Sequence, residues 1–529
     1  PLPRLPIGFR RWMKRRPIRY AIKFLNLPDL RRKMSDLQRQ HPAAALANAF
    51  DIIRGNFITI LVLIFIGGGG REANFTLYWI LGTFIVLLIW GVISWYRFEF
   101  RVEEGELQIE QGVIIHKKLF LTSDRIQVID ISAGVIQRIF GLVAVEVKTA
   151  GSSSKEAKIN AITREKAEQL KRLLRKEKEA ERADAADEIK QSRVYTLDTK
   201  DLLVAASTSG RLGVALSVVG AGFSQIEQII SEEQMIRFVE TNLPNTTSAM
   251  MIIFSIVAVI VVSWLFSFVS TIIKYYDFVV EVRENELLIT RGLFERKQLT
   301  IPFNRIQAVQ IKEELLRQPL GYASLVIESA GYGEEQGNST TLFPLIAKQR
   351  IYEFIDEVIP EYHADISDTA TASKRGLRRY LLRMVWISLP IILTLWGTVS
   401  YGVFAWFLLL PALLLGYQQY RDARISTGDD TLVLTSRLLS KTTAIVKKYR
   451  TQACEIRENP FQTRLQLSNF TVHVASGNQG RSFTVRELAK KQAAAYLDWL
   501  ANGKSEDFAP QESLNIESPD EDTSSPSTE

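Results

Sequence analysis

A single cysteine, Cys454, stands in 529 residues, accompanied by four histidines: His41, His116, His363 and His473. One thiol excludes an internal disulfide and any zinc cluster built from several thiolates. The histidines share no metal-ligand spacing and Cys454 has no base beside it, so neither metal nor nucleophilic chemistry has a motif to rest on. Phosphate-cradling loops are lacking too. "GGGG" at 67–70 runs into Arg-Glu rather than Lys-Ser/Thr and reads as a flexible hairpin tip. Carboxylate pairs such as Glu103-Glu104 and Glu313-Glu314 sit in turns or exposed places, where solvated charge is ordinary. No enzyme and no cofactor are expected.

Basic charge is scarce outside one end. The net charge is +7, yet residues 1–33 hold eleven Lys/Arg against one Asp, which leaves the remainder slightly acidic. That is not a nucleic-acid footprint spread over a domain, so no nucleic-acid partner is expected. "FRRWMKRRPIRYAIKFLNL" has two readings: a basic amphipathic stretch on an anionic leaflet, or residues upstream of a natural start at Met34. It is no secretory signal, because no apolar core follows the basic residues.

What the chain has is long uncharged runs. Ala249–Ile273 is 25 residues without a charge and Met384–Tyr420 is 37. A hydrocarbon core about 30 Å thick needs roughly 20 helical residues. Six segments are expected in three pairs: Phe57–Gly69 with Leu77–Trp95, Leu202–Phe223 with Ala249–Ile273, and a hairpin cut from 384–420 with Pro390 and Pro411 inside it. Arg211 falls within Leu202–Phe223, where a midplane charge is costly; either it snorkels or faces a partner, or the helix enters the bilayer only after it. Lys and Arg flank the first helix of each pair: Arg54, then Lys190, Arg193 and Lys200, then Arg375, Arg378, Arg379 and Arg383. The opposite loops carry few, which places every large polar region on the cytoplasmic side.

Those polar regions repeat. "FEFRVEEGELQIEQG" (98–112) and "FVVEVRENELLITRG" (278–292) are both hairpins with period-two burial, 180 positions apart. The offset holds without a gap through Gly112/Gly292, Lys117/Lys297, Arg125/Arg305, Gln127/Gln307 and Gly141/Gly321. A fainter third copy lies 325 positions from the first, with Arg450, Gln452 and Val472 in place of Arg125, Gln127 and Val147. After each copy the period shifts to about 3.6, in 163–181, 345–359 and 484–501, predicting an amphipathic closing helix. The fold expected is a mixed membrane protein: three pairs of transmembrane α-helices alternating with three β-sandwich or barrel domains, each capped by a C-terminal helix. Its divisions are a basic segment 1–48; membrane hairpins 49–95, 201–273 and 381–419; β-rich domains 96–182, 275–362 and 420–501; and an acidic tail 502–529 of disordered composition.

With "YRFEFRVEEGELQIEQGV" and "RIQVIDISAGVIQRIFG" set in this order, residues 40–500 resemble the YdbT-like family of bacterial membrane proteins with pleckstrin-homology (PH)-like domains. The third copy departs from the pattern, with Arg437 at the first glycine position and Gln466 at the second. The resemblance implies PH-like domains, a bacterial inner membrane location and, often, a smaller neighbouring membrane protein bearing one such domain. It implies no established activity.

The repeated Arg-x-Gln has two readings. Arg125, Arg305 and Arg450 either fork to backbone carbonyls at a strand end, or join Lys117, Lys118, Arg296 and Lys297 in a basic mouth facing anionic lipid headgroups. Apolar neighbours favour the joint. The function expected is a non-enzymatic integral membrane scaffold binding the lipid bilayer, a smaller paralogous PH-like protein or its own copies. The alternative is a transporter or lipid-moving device, with Arg211 as its intramembrane residue.

Overall fold

The computed structural model describes residues 37–55, 73–103, 106–123, 125–149, 157–174, 193–209, 248–330, 339–398, 402–476 and 480–502. Contacts divide the chain into two units. One runs to His363 and takes in Leu439–Ala444 and Val474–Arg481; the other holds Ala364–Leu438, Ile445–His473 and the residues from Ser482 onward.

In the first unit, β1 (Gln38–Arg39), α1 (Ala43–Gly55) and α2 (Ala73–Tyr96) lead into the first repeat. That repeat is β2 (Glu99–Glu103), β3 (Glu106–Gln111), β4 (Lys117–Thr122), β5 (Ile126–Ala133), α3 (Val135–Ile139), β6 (Leu142–Thr149), β7 (Ala157–Thr163) and α4 (Arg164–Leu174). Alternation makes the strands: Phe98, Phe100, Val102, Leu107 and Ile109 all turn into one buried cluster. Ala167, Leu170 and Leu174, spaced at helical intervals, lay the closing helix over the same cluster.

The second repeat follows β8 (Arg193–Thr196), α5 (Thr199–Ser207) and α6 (Ser248–Tyr275). It runs β9 (Val279–Val282), β10 (Glu286–Arg291), β11 (Arg296–Pro302), β12 (Ile306–Glu313), β13 (Tyr322–Ser329), β14 (Thr340–Ala347) and α7 (Ile351–Val358). Ile351, Phe354, Ile355 and Val358 form its buried stripe. Tyr362, wholly buried just after α7, donates from Oη to Ile306 O at 2.7 Å and pins the chain end to the start of β12. Tyr362→Phe removes the donor and strands that carbonyl, so a loss of about 1–2 kcal/mol is expected, read as a lower denaturant midpoint at unchanged slope.

The second unit contains β15 (Asp368–Thr371), α8 (Leu377–Thr398), α9 (Leu409–Asp422), β16 (Arg424–Thr427), β17 (Thr431–Arg437), the last part of β18 (Lys441–Lys447), β19 (Thr451–Arg457), α10 (Pro460–Leu465), nearly all of β20 (Leu467–Val474) and of β21 (Arg481–Ala489), and α11 (Lys490–Asn502). Leu432, Leu434 and Val472 are buried, as Leu107, Ile109 and Val147 are at the matching places of the first repeat. Tyr380 Oη donates to Arg486 O at 2.9 Å and Arg379 Nε to Glu487 at 3.0 Å, fixing the start of α8 to the last strand of the repeat.

The sheets do not follow the repeat boundaries. β1–β2–β3–β4 form one antiparallel sheet, while β7–β6–β5–β11–β10–β9–β8 form a second with seven strands. Its middle seam is β5 against β11, with Ala133 opposite Arg296, Ser132 opposite Lys297 and Ile131 opposite Gln298. Two domains expected to close separately thus share one sheet.

The described residues carry part of the expected membrane region. Among the described residues three helices are long and apolar enough to cross a membrane: Val257–Tyr275, Lys374–Thr398 and Gly402–Asp422. Gly82–Tyr96 is a shorter apolar stretch of α2. Phe57–Gly69 and Arg211 lie outside the described residues. Of the expected segment Leu202–Phe223, residues 202–207 belong to α5, which ends at Ser207 with Leu202, Ala205 and Ala206 buried in protein, and 210–223 lie outside the described residues. Two closing helices also start later than their periodicity predicts, because 345–347 and 484–489 still belong to strands β14 and β21.

Candidate functional site

The seven basic residues singled out in the sequence lie on separate strands and turns. Lys117 and Lys118 are exposed on β4, with Lys118 Nζ 2.9 Å from Glu110 of β3. Arg296 and Lys297 lie on β11, inside the seam with β5; Arg296 pairs with Asp277 at 2.8 Å, and Lys297 Nζ lies 3.6 Å from Glu295. Lys117 and Lys118 therefore belong to one sheet, and their counterparts Lys297 and Gln298 to another, where the neighbouring strand leaves them half-buried. Arg450 belongs to the second unit.

Arg125, Arg305 and Arg450 each precede the strand that follows the corner of their repeat. Arg305 ends a short 3-10 turn, Phe303–Arg305, and Arg450 ends another, Lys448–Arg450. The joint at Arg305 is made by its carbonyl, which accepts from Ala330 N at 2.9 Å and Gln307 Nε2 at 3.2 Å. Arg125 is exposed, and its amide donates to Thr122 O at 3.0 Å. Arg450 lays its guanidinium 4.8 Å from the centroid of the Tyr449 ring. What recurs is a turn that redirects the chain into the next strand.

Glycine sets the other turn in the first two repeats. Gly112 and Gly292 have φ of +116° and +110°, and a Cβ there would lie 1.9 Å from Ile115 O or 2.1 Å from Glu295 O. The amide of Gly292 also donates to Tyr276 O at 2.8 Å, and Leu293 N to Ile273 O at 3.0 Å, so this turn holds the end of α6. Where the third repeat has Arg437, that residue instead closes strand β17 and pairs with buried Asp422 at 2.5 Å. At the second glycine position the backbone persists while the residue changes: Gly141, Gly321 and Gln466 all have φ between +54° and +72°.

Buried charges that no motif announced hold the first unit together. Asp130 on β5 pairs with Lys148 at 3.1 Å, and its Oδ1 accepts from Thr300 N across the seam at 3.4 Å. Glu328, 1% exposed, accepts from Gln310 and from Ser476. Glu313 contacts Lys348 and Lys441. Burial works against the Glu313 carboxylate, but the two ammoniums overcome it and hold its pKa below the usual range. Arg317 is buried and donates to Thr208 Oγ1, Pro344 O and Ala205 O at 3.2, 3.0 and 3.0 Å. The signal available for Asp130 and Glu328 was a lone charge inside an alternating apolar strand; Arg317 gave none.

Burial pushes the Cys454 thiol up to about 11, leaving little thiolate at neutral pH. Among the described residues no group of three or more His, Cys, Asp or Glu is placed to hold a metal ion. The arrangement offers strand edges, paired charges and turns fixed to apolar helices.

Residues 43–178, 235–361 and 381–504 match the family described as Bacterial PH domain. UPF0699 transmembrane protein YdbT of Bacillus subtilis (strain 168) is 34% identical over 500 residues, covering 89% of this chain and 100% of that protein.

Proposed function

The chain belongs to the bacterial PH domain family, and from that premise we propose that it is a membrane-embedded, non-enzymatic scaffold whose PH-like repeats serve assembly. The observation that carries this reading is the β5–β11 seam, in which one repeat extends the sheet of the next through backbone pairing. Apolar helices joined directly to the repeats, at Gly292 and at Tyr380, support a platform held close to a bilayer. A relative with a transmembrane name supports the same placement. The Lys/Arg bias beside the apolar segments favours the repeats facing the cytoplasm from a bacterial inner membrane.

Protein assembly is preferred over lipid headgroup binding because the seven candidate basic residues do not converge on one mouth: they lie on separate strands and turns. Lys118, Arg296 and Lys297 each also have an acidic neighbour that offsets part of their charge. Extraction of the full-length chain from native membranes into mild detergent, followed by mass measurement, tests the reading. A particle holding a second copy or a protein partner is expected. A particle containing one 60.0 kDa chain and no other protein overturns it.

A further inference from the structure

Strand β4 stands where β11 stands in the next repeat, 180 positions earlier, yet the two edges differ. β11 has β5 on its outer side. β4 ends its sheet, with β3 as its neighbour on the other side. Exposure follows the difference. Phe120 on β4 is 58% exposed, whereas Thr300, its counterpart on β11, is 6% exposed beneath the seam. Lys117 and Lys118 are exposed, while Lys297 and Gln298 are half-buried. A bare edge carrying a large apolar side chain is a template for another strand.

The opposite edge type is also bare. β19, which stands where β5 and β12 stand, ends the sheet β19–β20–β21. Its Gln452 and Ala453 are exposed, although Gln307 and Ala308 on β12 and Val128 on β5 are buried. The acid that spans the existing seam is matched as well: Asp130 accepts from Thr300 N, and β19 has Glu455 at that place.

We propose that β4 of one copy receives β19 of a second copy as an added antiparallel strand, in the register that β5 adopts on β11. This rests on the assembly reading above and names its partner and its surface. A second copy fits because the chain leaves bare one edge of each kind among the described residues, and the internal seam shows that the two kinds pair. The transferred register sets Lys117 opposite Arg457 and Lys118 opposite Ile456. Arg457 already contacts Glu455 at 2.7 Å, so Lys117 meets a paired cation and its carboxylate rather than a lone like charge. The contact joins unlike patches and is therefore head-to-tail, closing into a ring or continuing as a row in the membrane.

Cross-linking in native membranes tests it. Two differently tagged full-length chains are co-expressed, one carrying Lys117→Cys and the other Arg457→Cys, both with Cys454→Ser. Facing residues in an antiparallel pair have Cα atoms about 4.5–5.5 Å apart, within disulfide reach. Mild oxidation should give a mixed-tag product of twice the 60.0 kDa chain. Its yield should exceed by about tenfold that from Arg350→Cys used in place of Lys117→Cys, since docking concentrates the thiols locally. The proposal is overturned by equal yields, by no mixed product from chains that insert normally, or by Lys117→Cys capturing a different protein. Absence of the cross-link in a particle heavier than one chain removes this seam but leaves the scaffold; a one-chain particle removes both.

Discussion

Replacing Arg317 with alanine is expected to destabilise the second repeat by roughly 3–5 kcal/mol, lowering its unfolding temperature by more than about 10 °C. Arg317 is 5% exposed, and its guanidinium ties three parts of the fold. Nη2 and Nε reach Ala205 O and Thr208 Oγ1 at the C-terminal end of α5, Nη1 reaches Pro344 O in β14, and Glu314 lies 3.4 Å from Nε within the same turn. Helix ends leave carbonyls unpaired and slightly negative, and a cation there serves both needs. Alanine leaves those oxygens buried without donors and opens a cavity. Arg317→Lys restores the charge but cannot fork, so less than half the stability should return. Thermal unfolding of detergent-solubilised protein, followed by tryptophan fluorescence, reads the difference. A shift within a degree or two for the alanine variant would mean that water satisfies these groups and that the side chain is not the tie.

The second large effect is at Gly292. Alanine there must adopt φ near +110° with its methyl carbon 2.1 Å from Glu295 O, a backbone atom that cannot step aside alone. The turn between β10 and β11 has to open, and with it the bonds from Gly292 and Leu293 to the end of α6. A loss of about 3 kcal/mol or more is expected for Gly292→Ala. Gly321→Ala is the informative contrast, since its φ of +72° is also left-handed but the added methyl meets open space. It should cost about 1–2 kcal/mol, the bare conformational term. Gln466 already carries that strain at φ +54°, so Gln466→Gly should raise stability by about 1 kcal/mol. Denaturant midpoints falling in any other order would remove steric closure of the turn as the cause.

These glycines also separate what the sequence discloses from what it conceals. The repeat was legible because Leu107, Leu287 and Leu432 must all enter a core, and burial by alternation leaves a pattern every two residues. Closing helices were legible by the same logic at period 3.6, though their starts were not, since 484–489 alternates as a strand before the helix begins. Nothing local encodes which edge a strand meets. The β5–β11 seam joins residues far apart in the chain, and Thr300 looks no different in sequence from a half-exposed strand residue. Hydropathy likewise did not disclose the stop of α5 at Ser207, whose end is bonded by Arg317, a residue in an unremarkable polar turn. The basic residues were legible as charges, but not their engagement by Glu110, Asp277 and Glu295.

The shared sheet has a consequence for synthesis. Asp130 and Thr300 are 170 positions apart, so a ribosome adding about 5–20 residues each second leaves the outer side of β5 without its neighbour for roughly 10–30 s. During that interval the emerging chain must also deliver apolar α6 to its destination. A nascent first repeat is thus an unfinished object, open to any passing strand, and truncation just before β11 should yield a sticky product rather than a smaller working protein.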